Sequence, residues 1–544
     1  MKRLLALLLA VVMMATLCTG CDIEEIIALF VDGSPVGPAA EVNPHLHFEL
    51  DQQMLDTFYE EMEKVEKLAI EGTDIEAIEA ASDKLEELYM DIVDQIQIAH
   101  VLQSMDVEDE ALAEQYLTAV DQGVQLETDY NAMTRRVYNS DSAAKEVLFE
   151  DWTQDEIDRM LAHNEEIASL EKRNEELTVE YRELSQESPS WEEEVVRIYN
   201  ETVKNGNRIA ELYGYENYYE YASRVIYERD FGAEERSKMR SYAINYMMDI
   251  ANNALVAFLS KFETLSYTDS NLVADLMYTD YDQLDTDYVG NYFEYIPEDV
   301  AEAMQAMFDE QRVVFTDDPN AVEGAFTTYI DDGPFCFFGP GYQSSTTLIH
   351  ELGHYYGSTA VELWEQPLDI SEVQSQGNEW LFTYYLSEEL SEELYDCYLH
   401  LMIADNMTVI LSALMIDQFE EMVYTHPNAG NLTLEEYDAL MNQVVSQYGT
   451  VEDINYTIGD LNGYWKMVVV EQPVYYISYA VSAVAAMDIY VTATENEEQA
   501  WTAYKALVEE MDPDAGFLKN LEKAGIDGPF EEEVYAYFAS LYAQ

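Results

Sequence analysis

LIHELGHYYGSTAVELWEQPLDISEVQSQGNEW, residues 348–380, decides how this chain is read. Apolar residues recur at three- and four-residue intervals on both sides of Pro367, which breaks the stretch into two helices. His350 and His354 are four positions apart, about 400° of helical rotation, so both rings leave one face and can hold one metal ion. Glu351 follows the first histidine and is placed to face water in an open metal position. The plain alternative is a helix pair whose two histidines make ordinary hydrogen bonds, and the pentapeptide alone leaves it open.

A catalytic zinc takes three protein ligands and keeps one open position. The extended pattern H-E-x-x-H-x-x-G-x-x-H is followed as far as Gly357 and then fails, because Ala360 stands where the third histidine belongs. The other scheme draws a glutamate from the second helix. Asp369 or Ser371 can cap that helix, which puts Glu372 in its first turn and Glu379 two turns later on the same face. One carboxylate can then bind the metal while the other supports a ligating histidine from behind. In so acidic a chain, Glu372 alone reads equally well as a charge at a helix N-terminus.

Outward from the motif, AFTTYIDDGPFCFFG (325–339) holds two β-rich runs around the hairpin-type turn Asp331-Asp332-Gly333. Helical patterning fills most of the rest. MLDTFYEEMEKVEKLAI and ASDKLEELYMDIVDQIQIAHVL alternate apolar and charged faces, and WTQDEIDRMLAHNEEIASLEKRNEELTVEYREL (152–184) continues the pattern without a proline. The expected class is mainly α, with a small β-sheet next to the H-E-x-x-H helix. No repeat of fixed period is present. The acidic run TDYDQLDTDY (279–288) lacks the glycine and spacing of a calcium loop and reads as solvated surface.

The chain has 544 residues, 48% apolar and 12% aromatic, enough to bury a large core. Against 109 acidic residues it carries 26 Lys and Arg, a formal charge of −83. Such a surface repels phosphate backbones, so nucleic acid is excluded as a partner. The charge keeps the protein soluble, or favours cationic substrates or divalent cations. At the N-terminus, Lys2 and Arg3 precede an apolar run, Leu4–Leu17, too short to span a bilayer and shaped like an export signal (1–20). Leu17-Cys18-Thr19-Gly20-Cys21 resembles a bacterial lipoprotein signal, with lipid attached at Cys21 after cleavage; ordinary cleavage with Cys21 as a spare thiol is the alternative. Residues 21–44 read as a tether, and no later apolar run approaches a membrane span. Cys336 and Cys397 then either pair or remain as free buried thiols.

The motif His350-Glu351-Leu352-Gly353-His354, taken with SEVQSQGNE (371–379), resembles the thimet oligopeptidase and oligoendopeptidase F family of zinc peptidases. LYGYENYYEYASRVIYERDF (212–231), the approach GAFTTYIDDGPFCFFGPGYQSSTTLIHELGH and VYYISYAVSAVAAM (474–487) are similar to that family in the same order. The resemblance runs from about residue 205 to the end, marking 205–544 as a catalytic region behind a helical region, 45–204. It implies two helical lobes around a deep substrate channel that admits short peptides, with one zinc per chain at its floor on His350, His354 and Glu372. It also implies Glu351 as general base toward zinc-bound water, Glu379 behind a ligand, and an edge strand near Phe335–Phe338 that, with Gly339, Gly341 and Tyr342, lines the substrate backbone. Tyr475, Tyr476 and Tyr479 become candidates at the substrate, with Tyr476 and Tyr479 favoured as oxyanion donors and core packing as their alternative. The family's histidine before those tyrosines has no counterpart, since none follows His426; a tyrosine such as Tyr464 would have to compensate. No stable protein partner is implied. A membrane-tethered, extracytoplasmic zinc oligopeptidase is therefore expected, with a peptide-binding lipoprotein on a degenerate peptidase fold as the alternative. A metal-scavenging lipoprotein would account for the charge but not for Glu351.

Overall fold

Asp51 opens the first helix, α1 (Gln52–Glu71), by accepting from the backbone N–H groups of Gln53 and Met54, and Gly72 closes it at φ +61. This is seen in a computed structural model that describes residues 43–542 apart from 151, 183, 185–187, 279–286 and 362–365. The signal-like segment, Cys21, the tether as far as residue 42 and most of the acidic run at 279–288 lie outside the described residues. Leu55, Phe58, Met62, Val65 and Ala69 form the buried stripe of α1 at helical spacing. They pack with α2 (Ile75–Met105) and α3 (Glu110–Tyr138) into an apolar core of their own, around Leu85, Tyr89, Ile92 and Tyr130.

The stretch from 152 to 184 is not continuous. Thr153 and Glu156 form a reciprocal capping box for α4 (Gln154–Ala162), and the chain breaks at His163. Asn164 then turns its side-chain oxygen onto the N–H of Glu166 to start α5 (Glu165–Arg182). An asparagine that bonds its own backbone in this way competes with helix propagation, which the absence of proline does not reveal. The next helix, α6 (Trp191–Tyr213), spans the boundary expected at 204/205 and buries Val195, Ile198, Tyr199 and Val203 in the second, larger core. That core begins at Leu177, so the apolar division of the chain falls between 160 and 177.

Three strands, β1 (Val313–Phe315), β2 (Ala325–Ile330) and β3 (Gly333–Phe338), form one sheet in the order β1-β3-β2. β2 and β3 are the expected hairpin, and Asp331 and Asp332 at its tip both take positive φ (51° and 56°), as a two-residue primed turn requires. Phe335–Phe338 is not an edge. β1 pairs in parallel with Cys336, Phe337 and Phe338, which makes β3 the central strand and leaves β2 outermost on its side. The sequence reading missed β1 because three residues, VVF, are too short to show alternation.

Strand alternation gives the sheet two apolar faces. Phe326, Ile330, Phe335 and Phe337 meet Ile98 and Val101 of α2, while Ala325, Cys336 and Phe338 join the larger core. At the N-terminal end of the described chain, Asn43 Nδ2 donates to the carbonyls of Gln311 and Val313 (2.9 and 3.1 Å), and His45 bridges Glu310 O and Asp331 Oδ2 (3.0 Å each). Among the helices that follow the sheet are α7 (Ser345–Gly357), α8 (Leu368–Glu389), α9 (Glu392–Tyr424) and α10 (Ile477–Glu495). By length and composition α9 and α10 could cross a membrane, which corrects the reading that no later run approaches that length; both are core helices, with 72% and 83% of their apolar windows buried. Cys336 on β3 and Cys397 on α9 are free and buried. The class is mainly α with one small sheet, as the sequence indicates.

Candidate metal centre

Ser344 starts α7 by accepting from Thr347 N, and one turn later His350 and His354 leave the helix side by side, their rings 4.9 Å apart. What brings a third ligand to them is Gly353. A Cβ on this residue would stand 2.6 Å from both the Gln374 carbonyl oxygen and the Ser375 Cα, so α7 and α8 touch backbone to backbone here. Glu372 Oε2 thereby reaches 3.9 Å from His350 Nε2 and 3.8 Å from His354 Nε2. One ligand atom from each of the three residues falls within 4.8 Å of the others.

The remaining polar atoms are engaged from behind. His350 Nδ1 donates to Glu379 Oε1 (2.6 Å), two helical turns beyond Glu372, in the supporting position the spacing suggested. His354 Nδ1 meets Ser371 Oγ (3.1 Å). Ser375 Oγ donates to Glu372 Oε2 (3.2 Å) and the Tyr475 hydroxyl donates to Glu372 Oε1. Both proposed caps of α8 prove to lie inside the helix, which starts at Leu368 behind Pro367. Ser371 serves His354, and Asp369 forms a buried ion pair with Arg229 (3.7 Å). Glu372 accordingly stands in the second turn of α8 rather than the first.

Glu351 is 4% exposed, and Thr327 of β2 donates to its Oε2 at 2.7 Å. Burial pushes its pKa up to about 7, against the pull of His350. Burial also raises Glu372. For His350 the desolvation cost is outweighed by the bond and charge of Glu379, which hold it up at about 9; His354 is pushed well down by burial and by the charge of His350. Two buried carboxylates and two imidazoles thus lie together, and among the described residues no lysine or arginine is bonded to either carboxylate. The donor set, two imidazole nitrogens and one carboxylate oxygen with both Nδ1 atoms already engaged, fits a zinc ion.

The tyrosines gather beside Glu372 through the loop before α10. Val474 has φ +65, a costly setting for a β-branched residue, and it turns Tyr475 toward Glu372. Tyr476 is the residue at the start of α10, its ring 5.5 Å from that of Tyr479, and its hydroxyl meets that of Tyr464 at 3.4 Å. Tyr475 and Tyr479 rings lie 4.9 Å apart. Gly339, Pro340, Gly341 and Tyr342 make a tight turn closed by Tyr342 N to Gly339 O (3.2 Å), with Gly341 at φ +78. Gly339 is also demanded by packing, since its Cβ would overlap the Val322 carbonyl. Thr327 on Glu351 is a contact that spacing did not single out, Ser371 serves His354 rather than capping, and Tyr227, Arg229 and Glu420 hold the backbone of the loop before Tyr475. Arg229 and Tyr227 lie in the family-like segment 212–231, the one signal that pointed to them.

No family model matches the sequence, and no curated protein does. Solved structures do match in fold. A PZ peptidase A with a bound inhibitor superposes with a TM-score of 0.70 at 17% identity, covering 91% of this chain and 98% of that one. A candidate oligoendopeptidase F from Bacillus anthracis gives 0.69 at 17%, covering 91% and 96%. An oligoendopeptidase F from Enterococcus faecium gives 0.56 at 13%, covering 91% and 97%. The chain has the fold of these structures along nearly its whole described length.

Proposed function

We propose that this chain is a zinc-dependent endopeptidase of the oligopeptidase type, acting on short peptides outside the cytoplasmic membrane and held there by lipid on Cys21. The observation that carries the enzymatic part is the convergence of His350, His354 and Glu372 beside a buried Glu351. The peptidase names of the structures sharing the fold support it. His350 Nε2, His354 Nε2 and a Glu372 oxygen would hold the ion, which when bound supplies a Lewis acid for the scissile carbonyl and for the attacking water.

The chain's own residues do the rest. Thr327 occupies Glu351 Oε2, which leaves Oε1 to take the proton of the attacking water and later hand one to the leaving amine. A carboxyl whose pKa burial has raised toward 7 is matched to both transfers near neutral pH. Glu379 fixes the tautomer and tilt of His350, and Ser371 does the same for His354. Tyr475 holds Glu372, so the oxyanion donor is sought in Tyr476 or Tyr479, with Tyr464 on the Tyr476 hydroxyl supplying part of what the absent histidine would give. A channel between two helical lobes would admit short peptides and exclude folded proteins.

The test compares the purified protein with Glu351→Gln. Both should bind one zinc, and only the unaltered protein should cut a pool of short peptides read by mass spectrometry. Zinc in both with cutting in neither would favour the peptide-binding alternative, and no stoichiometric zinc would refute the metal site. The anchor is tested by Cys21→Ala, which should move the protein from the membrane fraction to the soluble one.

A further inference from the structure

The loop that delivers Tyr475 to the metal site is unusually well held. Val474 at φ +65 lies in neither helix nor strand, and turn bonds from Tyr475 N to Gln472 O (3.3 Å) and from Ser478 N to Tyr475 O (2.8 Å) meet only part of the loop's backbone need. Three buried side chains from two other segments meet more of it. The Tyr227 hydroxyl donates to Pro473 O (2.8 Å), and Glu420 of α9 accepts the Val474 N–H with both carboxylate oxygens (2.9 and 3.0 Å). Arg229, its side chain fully buried, donates through Nη1 to Val474 O (2.9 Å) and through Nη2 to Tyr475 O and Ser478 Oγ (3.2 and 2.9 Å). On its other side the same guanidinium faces Asp369, three residues before Glu372 on α8. It therefore touches both the loop carrying Tyr475 and the helix carrying the metal ligand that Tyr475 bonds.

We infer that Arg229 is a positioning residue for the metal centre: it locks the Val474–Tyr475 turn to α8 and so keeps the Tyr475 hydroxyl on Glu372. This rests on the zinc reading above. A planar, five-donor guanidinium is suited to the task, since it can reach two carbonyls and a hydroxyl on one edge while facing a carboxylate on another. A lysine keeps the charge opposite Asp369 but cannot span those acceptors. The strain of a β-branched residue at positive φ persists only where the surroundings over-determine it, and here Arg229 and Glu420 do so.

The experiment is a double-mutant cycle on zinc affinity, measured by competition with a chromophoric chelator, using Arg229→Lys, Tyr475→Phe and the pair. Each single variant should bind zinc about ten- to a hundredfold more weakly, the usual cost of losing a group that orients a ligand. The pair should be no weaker than Tyr475→Phe alone to within about twofold, because Arg229 acts through that hydroxyl. Multiplying losses in the pair, or unchanged affinity in Arg229→Lys, would overturn the inference, as a merely structural arginine would lower unfolding stability in chelator without this coupling. If Arg229→Lys does not fold, Ser478→Ala removes one contact and no charge; it should weaken zinc about threefold, again only while Tyr475 is present. Failure of the unaltered protein to bind zinc would instead overturn the metal reading itself.

Discussion

Gly353→Ala tests how the centre is assembled. The added Cβ would lie 2.6 Å from two backbone atoms of α8, and backbone cannot swing aside as a side chain can. Reaching the 3.4 Å of ordinary contact requires the two helices to part by about 0.8 Å. Alanine gains about 1 kcal/mol of helix propensity over glycine, whereas forcing a methyl into a filled helix contact costs about 1–3 kcal/mol. A net loss of about 1 kcal/mol is expected in denaturant unfolding with chelator present. The larger effect falls on the metal. Moving Glu372 back by that distance exceeds the ~0.2 Å within which metal–ligand distances are normally kept, so zinc affinity should fall at least tenfold, on the order of 1.4 kcal/mol or more. Gly357→Ala is the control, because its Cβ would meet the Gln374 side chain rather than backbone; it should cost the Gln374 bond to Leu507 O and leave zinc affinity intact. Wild-type zinc affinity and stability in Gly353→Ala would refute the claim that this contact sets the ligand spacing.

Glu379→Gln should weaken zinc about ten- to a hundredfold while leaving the fold intact, since the amide supports His350 without its charge; metal titration and thermal unfolding separate the two. Tyr476→Phe should lower kcat about a hundredfold with little change in KM if its hydroxyl stabilises the oxyanion, and steady-state kinetics beside Tyr479→Phe show which hydroxyl matters. Arg240→Leu leaves Asp417, 1% exposed, bonded only to Tyr219, and should cost about 3 kcal/mol in urea unfolding. Asp94 is held up at about 7 by burial and by the charges of Asp331 and Asp332. Its unfolded form ionises near pH 4, so the folded state loses stability as pH rises from 4 to 7 and the whole penalty is present above 7. Asp94→Asn should therefore stabilise the protein at pH 8, by about 1 kcal/mol after screening, and not at pH 4.

The candidate ligands were legible in part because helices impose periodicity, although spacing alone left Glu372 open and only the family resemblance singled it out. His350 and His354 four apart, and Glu372 and Glu379 seven apart, each fix a face before any tertiary contact is known. The Asp331-Asp332 turn was legible because it is local. What stayed hidden depends on which segments meet. Nothing within 345–357 says that Gly353 is a contact with α8, and nothing beside Thr327 places its hydroxyl on Glu351. Ser371 reads as a cap until Pro367 proves to end the loop itself. The family resemblance implied that β3 is an edge, and the sequence offered nothing to correct it, because its parallel partner is three residues long and lies 20 positions upstream. The turn at Val474 was the hardest, since a valine there argues against positive φ and only the buried Arg229 and Glu420 explain it.

The clip between the first described residues and the sheet imposes an order on biosynthesis. His45 reaches Asp331 across 286 positions and Glu310 across 265. At ~5–20 residues per second, roughly 15–60 s separate the emergence of the two ends of that contact. Until the sheet arrives α1, α2 and α3 can close their own core, but Ile98 and Val101 belong to the face of α2 that packs against the sheet. Whenever the N-terminal half is free to fold before the sheet does, whether at the ribosome or on the far side of a membrane, it therefore carries an apolar stripe open to solvent that only the later half can close.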